Sequence, residues 1–153
     1  KRLLEIEVPE FSDGTVMLYS VARDAGSRTK IAVYTEYNNV DPIGAVIGEK
    51  GRRIAAVLKE LNGEKIDVIL YDKDPVKFIT NALSPAKNVK VTIKDENKKE
   101  ALAVVGDNNL SLAIGKRGQN VKLASRLTHY KIEVKSQSAV AEENAEEVEA
   151  SEE

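Results

Sequence analysis

The segment Ile47–Gly51 (IGEKG) recurs 67 residues later as Ile114–Gly118 (IGKRG), and what flanks the two copies recurs with it. Upstream of each lies a β-branched run, Lys30–Thr35 in the first copy and Ala101–Val105 in the second, with the composition of a strand. Each run leads to a helix-start signal: Asp41 before Pro42, with proline at the first helical position, and Asp107 before Asn108. A short helix is expected through Val46-Ile47 and Ala113-Ile114, stopping at the first glycine of the motif. Beyond the second glycine a longer helix is expected. Its apolar face is Ile54, Val57, Leu58 and Leu61, at i, i+3, i+4 and i+7, in the first copy, and Val121, Ala124 and Leu127 in the second. Asn62-Gly63 supplies a stop for the first of these helices. Alternating strands, Lys65–Leu70 and Tyr130–Lys135, close the copies. A pattern this long, met twice, commits the chain to two copies of one small fold.

The repeat extends upstream. Pro75–Leu83 reads as a helix and Val89–Ile93 as a strand, matching Leu3–Pro9 and Val16–Val21 in the first copy. The expected division is therefore a first unit at 1–72 and a second at 73–135. Tyr71–Asp74 is too short for a free linker, so the two are expected to pack as one rigid body. From Ser136 periodicity disappears, and 136–153 is expected to be a disordered acidic tail. That tail holds seven of the 25 acidic residues and no basic one. Residues 1–135 then carry 18 acidic against 23 basic side chains, about +5, although the whole chain is at −2. A basic body with an acidic tail is a charge asymmetry of nucleic-acid binders. The chain opens on Lys1 in mid-pattern, and a longer parent chain is expected.

Composition closes other routes. Without cysteine there is no disulfide framework, thiol nucleophile or cysteine-held zinc, and no cofactor is expected. His129 is the single histidine, so a Ser–His–Asp set would have to centre on it, and it sits at a helix-to-strand turn. No GxxxxGK[ST] loop occurs, and the carboxylates Asp72 and Asp74 read as polar junction residues. An enzyme is not expected. No apolar run approaches the roughly 20 residues that span a bilayer, so the protein is expected to be cytoplasmic, without a membrane partner, and monomeric.

The repeated GxxG has its own chemistry. A helix opening after a tight turn presents unpaired backbone N–H groups and a partial positive charge, where a phosphate docks. Glycines let a nucleic-acid backbone come close, and the two middle residues project outward. The candidate RNA-binding residues of the first copy are Ile47, Gly48, Glu49, Lys50, Gly51, Arg52 and Arg53. Those of the second are Ile114, Gly115, Lys116, Arg117, Gly118, Gln119, Asn120, Lys122 and Arg126. Ile47 and Ile114 would line grooves that take bases, and Gln119 and Asn120 would hydrogen-bond bases or sugars. Glu49 repels phosphate, so the second copy is expected to bind more strongly per contact. Tyr34, Tyr71 and Tyr130 are either base-stacking residues or half-buried sheet tyrosines, and Arg23, Arg28 and Lys30 either extend the positive face or are simply solvated.

Strand, helix, GxxG, helix and strand make a KH module, which clamps about four nucleotides of single-stranded nucleic acid. The blocks Ala22–Val33, Val40–Gly48, Asn62–Val68, Asn81–Ala86 and Leu112–Val121, in this order, resemble the NusA family of bacterial transcription factors over residues 1–135. The resemblance implies an α+β fold of two tandem prokaryotic-type (type II) KH domains, each core preceded by its own helix and strand. It also implies binding to nascent RNA, and action with RNA polymerase in pausing, termination and antitermination. KH modules occur in ribosome-associated proteins as well, as a single unit. A scaffold that keeps the GxxG turns for structure and binds proteins is a further alternative, which salt-sensitive RNA binding would separate from an RNA binder.

Overall fold

The computed structural model describes the backbone of residues 2–152 and the side chains of residues 3–147. It divides into two compact units, residues 1–74 and 75–153.

In the first unit, helices α1 (Arg2–Glu7) and α2 (Pro9–Ser12) precede strands β1 (Met17–Asp24) and β2 (Arg28–Tyr34). Helices α3 (Pro42–Ile47) and α4 (Arg52–Glu60) lead to strand β3 (Lys65–Leu70). The sheet order is β1-β2-β3, with β1 antiparallel and β3 parallel to β2. Parallel neighbours need a crossover, and α3, the GxxG turn and α4 are that crossover. Asp41 caps α3 through Oδ1, which accepts from the Gly44 amide at 3.1 Å, with Pro42 next in line. Asn62 and Gly63 take positive φ just beyond α4. Leu4, Val16, Ile31, Val33, Val46 and Val57 form the core. Each such side chain contributes roughly 1.5–3 kcal/mol when removed from water. This core fixes α3 and α4 on the sheet and thereby the turn between them.

The second unit repeats this order. Helix α5 (Pro75–Ala82), strands β4 (Lys90–Asp95) and β5 (Glu100–Val105), helices α6 (Leu110–Ile114) and α7 (Gln119–Thr128) and strand β6 (Lys131–Ser136) follow one another. Strand β5 is antiparallel to β4 and parallel to β6. The buried face of α7 is Asn120, Leu123, Ala124, Leu127 and Thr128, with Val121 only half-buried, so it is rotated from the expected stripe. Asp107 does not cap α6. It lies in a 3-10 turn (Asp107–Asn109), and its carboxylate accepts from the Ser138 amide at 3.2 Å and from the Ser138 hydroxyl.

That contact belongs to the largest departure from expectation. The acidic stretch expected to be disordered is written as helix α8 (Gln137–Glu152). Ser136 Oγ accepts from the Ala139 amide at 3.1 Å, as an N-cap does, and Lys135 Nζ pairs with Glu143 at 2.8 Å. Alanine and glutamate are good helix formers, so capping and propensity suffice without an apolar stripe. The side chains of Glu149, Glu152 and Glu153 lie outside the described residues.

Three cations expected either to extend a positive face or to be solvated are instead held in ion pairs within the unit, Arg23 with its side chain still half-exposed. Glu64, 1% exposed, accepts from Arg23 at 2.9 Å, Thr29 Oγ1 at 2.7 Å and the Gly26 amide at 2.9 Å. Asp67 holds both Arg28 and Lys30 at 2.9 Å, and Lys30 is fully buried, which pushes its pKa down. The bonds from Arg23, and then Thr29, pull the Glu64 carboxyl down from 4.5 to about 2. A depressed folded-state pKa gives stability that is complete above the unfolded value and fades as the group protonates. Unfolding midpoints measured against pH are therefore expected to fall between about pH 4.5 and pH 2. Glu64→Gln should be less stable at neutral pH and show a flatter profile through that window; a slope equal to wild type would contradict this assignment.

Candidate nucleic-acid interface

The two GxxG turns have the same backbone. Gly48 lies at φ 77, ψ 172 and Gly115 at φ 77, ψ 171. Lys50 (φ 54, ψ 27) and Gly51 (φ 72, ψ 17) are matched by Arg117 (φ 58, ψ 24) and Gly118 (φ 75, ψ 11). Lys50 and Arg117 thus occupy the left-handed region, at roughly 1–2 kcal/mol for a residue with a side chain. In each turn the second glycine amide donates to the first glycine carbonyl at 3.1 Å. Helices α4 and α7 then begin with no side-chain cap on Gly51 or Gly118, although their first amides, on Arg52 and Gln119, donate back to the Glu49 and Lys116 carbonyls.

The glycines of one turn do different work. A Cβ on Gly51 would meet nothing within 4 Å, and on Gly118 only Lys122 Cε at 3.6 Å. The second glycine of each elbow therefore faces open space, where another backbone can approach. A Cβ on Gly115 would stand 2.7 Å from the Asn120 amide nitrogen, and on Gly48 2.6 Å from Arg53 Cγ. The first glycine is required by packing inside the unit, whereas no packing inside the unit requires the second.

Lys116, Arg117, Lys122 and Arg126 are exposed, as are Glu49, Lys50 and Arg52. Among the described residues none of these takes part in an ion pair. No acidic residue occurs between Asp107 and Glu133. Ile47 and Ile114 end the short helices half-buried, Gln119 is half-buried, and Leu112 on α6 is an exposed apolar side chain that the sequence reading passed over.

Two predicted contact residues are committed elsewhere. Asn120 is 1% exposed, and its Nδ2 donates to the carbonyls of Leu83 and Ala113, each at 3.0 Å. Arg53 Nη1 donates to the Ala45 carbonyl at 2.8 Å and pairs with Glu10 at 2.5 Å. Positions 53 and 120 are equivalent under the 67-residue repeat. Both lie under the first glycine and tie the short helix to the segment before the sheet. Glu10 carries no local signal of this role, since its partner is 43 residues away. The tyrosines pack on one another, with Tyr19 and Tyr71 stacked at 3.8 Å between ring centroids and Tyr34 at 5.5 Å from Tyr71. Burial raises the pKa of Tyr71. Tyr130 stands apart, its centroid 5.4 Å from Lys99 Nζ. His129 caps α7 with φ 62 and is exposed.

Among the described residues no helix is long and apolar enough to cross a membrane, and no cluster of ligating side chains is placed to hold a metal. Residues 1–71 match the NusA-like first KH domain and residues 75–142 the NusA-like second KH domain. Among curated proteins, the transcription termination/antitermination protein NusA of Halalkalibacterium halodurans is 54% identical over 93% of the chain, which spans 37% of that relative. The same protein of Bacillus subtilis is 54% identical, with 93% and 38% covered, and that of Thermus thermophilus 52%, with 86% and 34%. The chain thus spans less than two fifths of the length of these relatives. Among solved structures, the crystal structure of APE1850 superposes with a TM-score of 0.61 at 25% identity, covering 88% of this chain and 96% of the other. The chain belongs to the NusA family, and its two units are the first and second of that family's tandem KH domains.

Proposed function

We propose that the chain is a non-catalytic, single-stranded RNA-binding segment that acts on nascent transcripts in the cytoplasm, with RNA polymerase and other transcription factors as partners. The observation that carries this reading is the pair of superposable elbows, each with an outward-facing second glycine, a helix start free of any capping side chain and, among the described residues, exposed basic side chains outside any ion pair. Phosphates dock at Gly48–Gly51 and Gly115–Gly118, and bases lie beside Ile47 and Ile114. Lys116, Arg117, Lys122 and Arg126 supply charge at the second elbow, and Lys50 and Arg52 at the first. The relatives' names, transcription termination/antitermination protein, support the biological setting.

The direct test is titration with an unstructured RNA over a range of salt. About four neutralised phosphates give a slope of log K against log salt near −2.8, from about −0.7 per contact on single strands. Binding that ignores salt, or no binding, would leave a scaffold that keeps its elbows for structure alone.

A further inference from the structure

The two elbows share a backbone but are locked by different chemistry. In the second the lock is the neutral amide of Asn120; in the first it is the Arg53 guanidinium, answered by Glu10. Building on the RNA-binding reading, we infer that Glu10 sets the affinity of the first elbow by occupying, on Arg53, the place that an RNA phosphate takes in the bound state.

Arg53 is the second residue of α4, and its stem lies against Gly48, so its guanidinium is within one side chain's length of the elbow. A guanidinium fork fits a carboxylate or a phosphate alike, and its five donors leave several beyond the one holding Ala45. The pair is also reachable: the Arg53 and Glu10 side chains are 33% and 27% exposed, so an incoming anion can contest it without unfolding the unit. Surface pairs of this kind are weak and screened by salt.

Charge explains why the exchange matters in the first elbow. Over equivalent positions, Lys50, Arg52, Arg53 and Lys59 stand against Glu49 and Glu10, a balance of +2, whereas Lys116, Arg117, Lys122 and Arg126 give +4 with no acid among them. The second elbow therefore supplies most of the salt-dependent attraction. The first holds one cation in reserve, released only when a phosphate displaces Glu10.

The test is a double-mutant cycle on the whole chain, with a short oligoadenylate as the probe. Glu10→Gln keeps the shape and removes the charge. It is expected to tighten binding roughly two- to fivefold at low salt, with the slope nearly unchanged because Arg53 meets the same phosphate in both bound proteins. Arg53→Met should weaken binding, and Glu10→Gln added to it should give no gain. In the wild-type protein, where no variant has to fold, the Arg53 Nε–Hε resonance should move as RNA is added. Tighter binding that persists without Arg53, no tightening at all, or an Arg53 signal indifferent to RNA each overturns the inference. A wild-type protein that shows no salt-dependent binding overturns the RNA-binding reading itself.

Discussion

Replacing Lys116 and Arg117 together by aspartate is expected to lower affinity for single-stranded RNA about a hundredfold, with the circular dichroism spectrum and melting temperature unchanged. Charge-assisted hydrogen bonds contribute about 1.5–3 kcal/mol each, so losing two reaches that factor even at the low end of the range. Each substitution also turns an attraction into a repulsion at the start of α7. The slope against log salt should flatten by about 1.4, two contacts at about 0.7 each. The fold should not notice, because both side chains are exposed and unpaired among the described residues. Position 117 has φ 58, a left-handed conformation that aspartate tolerates better than most residues. Lys50→Asp is the natural comparison. It should cost less, because Glu49 already offsets part of the charge at the first elbow. Full affinity in the Lys116→Asp/Arg117→Asp protein, with a native spectrum, would refute the site.

Why the elbows were legible in the sequence, and their locks were not, is a matter of range. The GxxG turns are local: a short helix, two glycines and a long helix are dictated by neighbours, and the repeat writes them twice. Asp41-Pro42 announced the start of α3 for the same reason, since its cap is three residues away. Arg53 and Asn120 look like surface groups to any local reading, because polar side chains beside a GxxG usually face solvent. Their partners are 43 and 37 residues away, and only the assembled unit brings them together. Lys30 misled in the same way, its alternation hidden by burial on both faces of β2 and its charge met by Asp67, 37 residues on. Helix α8 is the opposite case. Ser136, ahead of a run of alanine and glutamate, is a local N-cap signal that the expectation of disorder, resting on the missing apolar stripe alone, did not use. Periodicity tests for a buried face, and a helix tied down at its first turns need not have one.

The two glycines of the second elbow should then respond oppositely in magnitude to the same substitution. Gly115→Ala forces a Cβ to 2.7 Å from the Asn120 amide and 2.8 Å from Asn120 Cβ, at φ 77. The left-handed conformation costs about 1–2 kcal/mol and overpacking about 1–3 kcal/mol more. The loss of roughly 2–5 kcal/mol is large beside the 5–15 kcal/mol that holds a domain together. At about 4–8 °C per kcal/mol for a unit of this size, the second unit should melt at least about 8 °C lower. RNA binding should fail with it, because relief of the clash moves Asn120 and releases the Leu83 and Ala113 carbonyls that set α6 beside the elbow. Gly118→Ala shares the positive φ, 75°, but its Cβ would enter open space near Lys122 Cε. It should lose only about 1–2 kcal/mol, while its RNA affinity falls further than its stability predicts, since the methyl group would stand on the proposed path of the phosphate backbone. Differential scanning calorimetry and RNA titration on the two variants separate these cases. If Gly118→Ala bound RNA as well as wild type, the open side of the elbow would not be the face that meets the ligand, and the packed first glycine would be the whole reason for the motif.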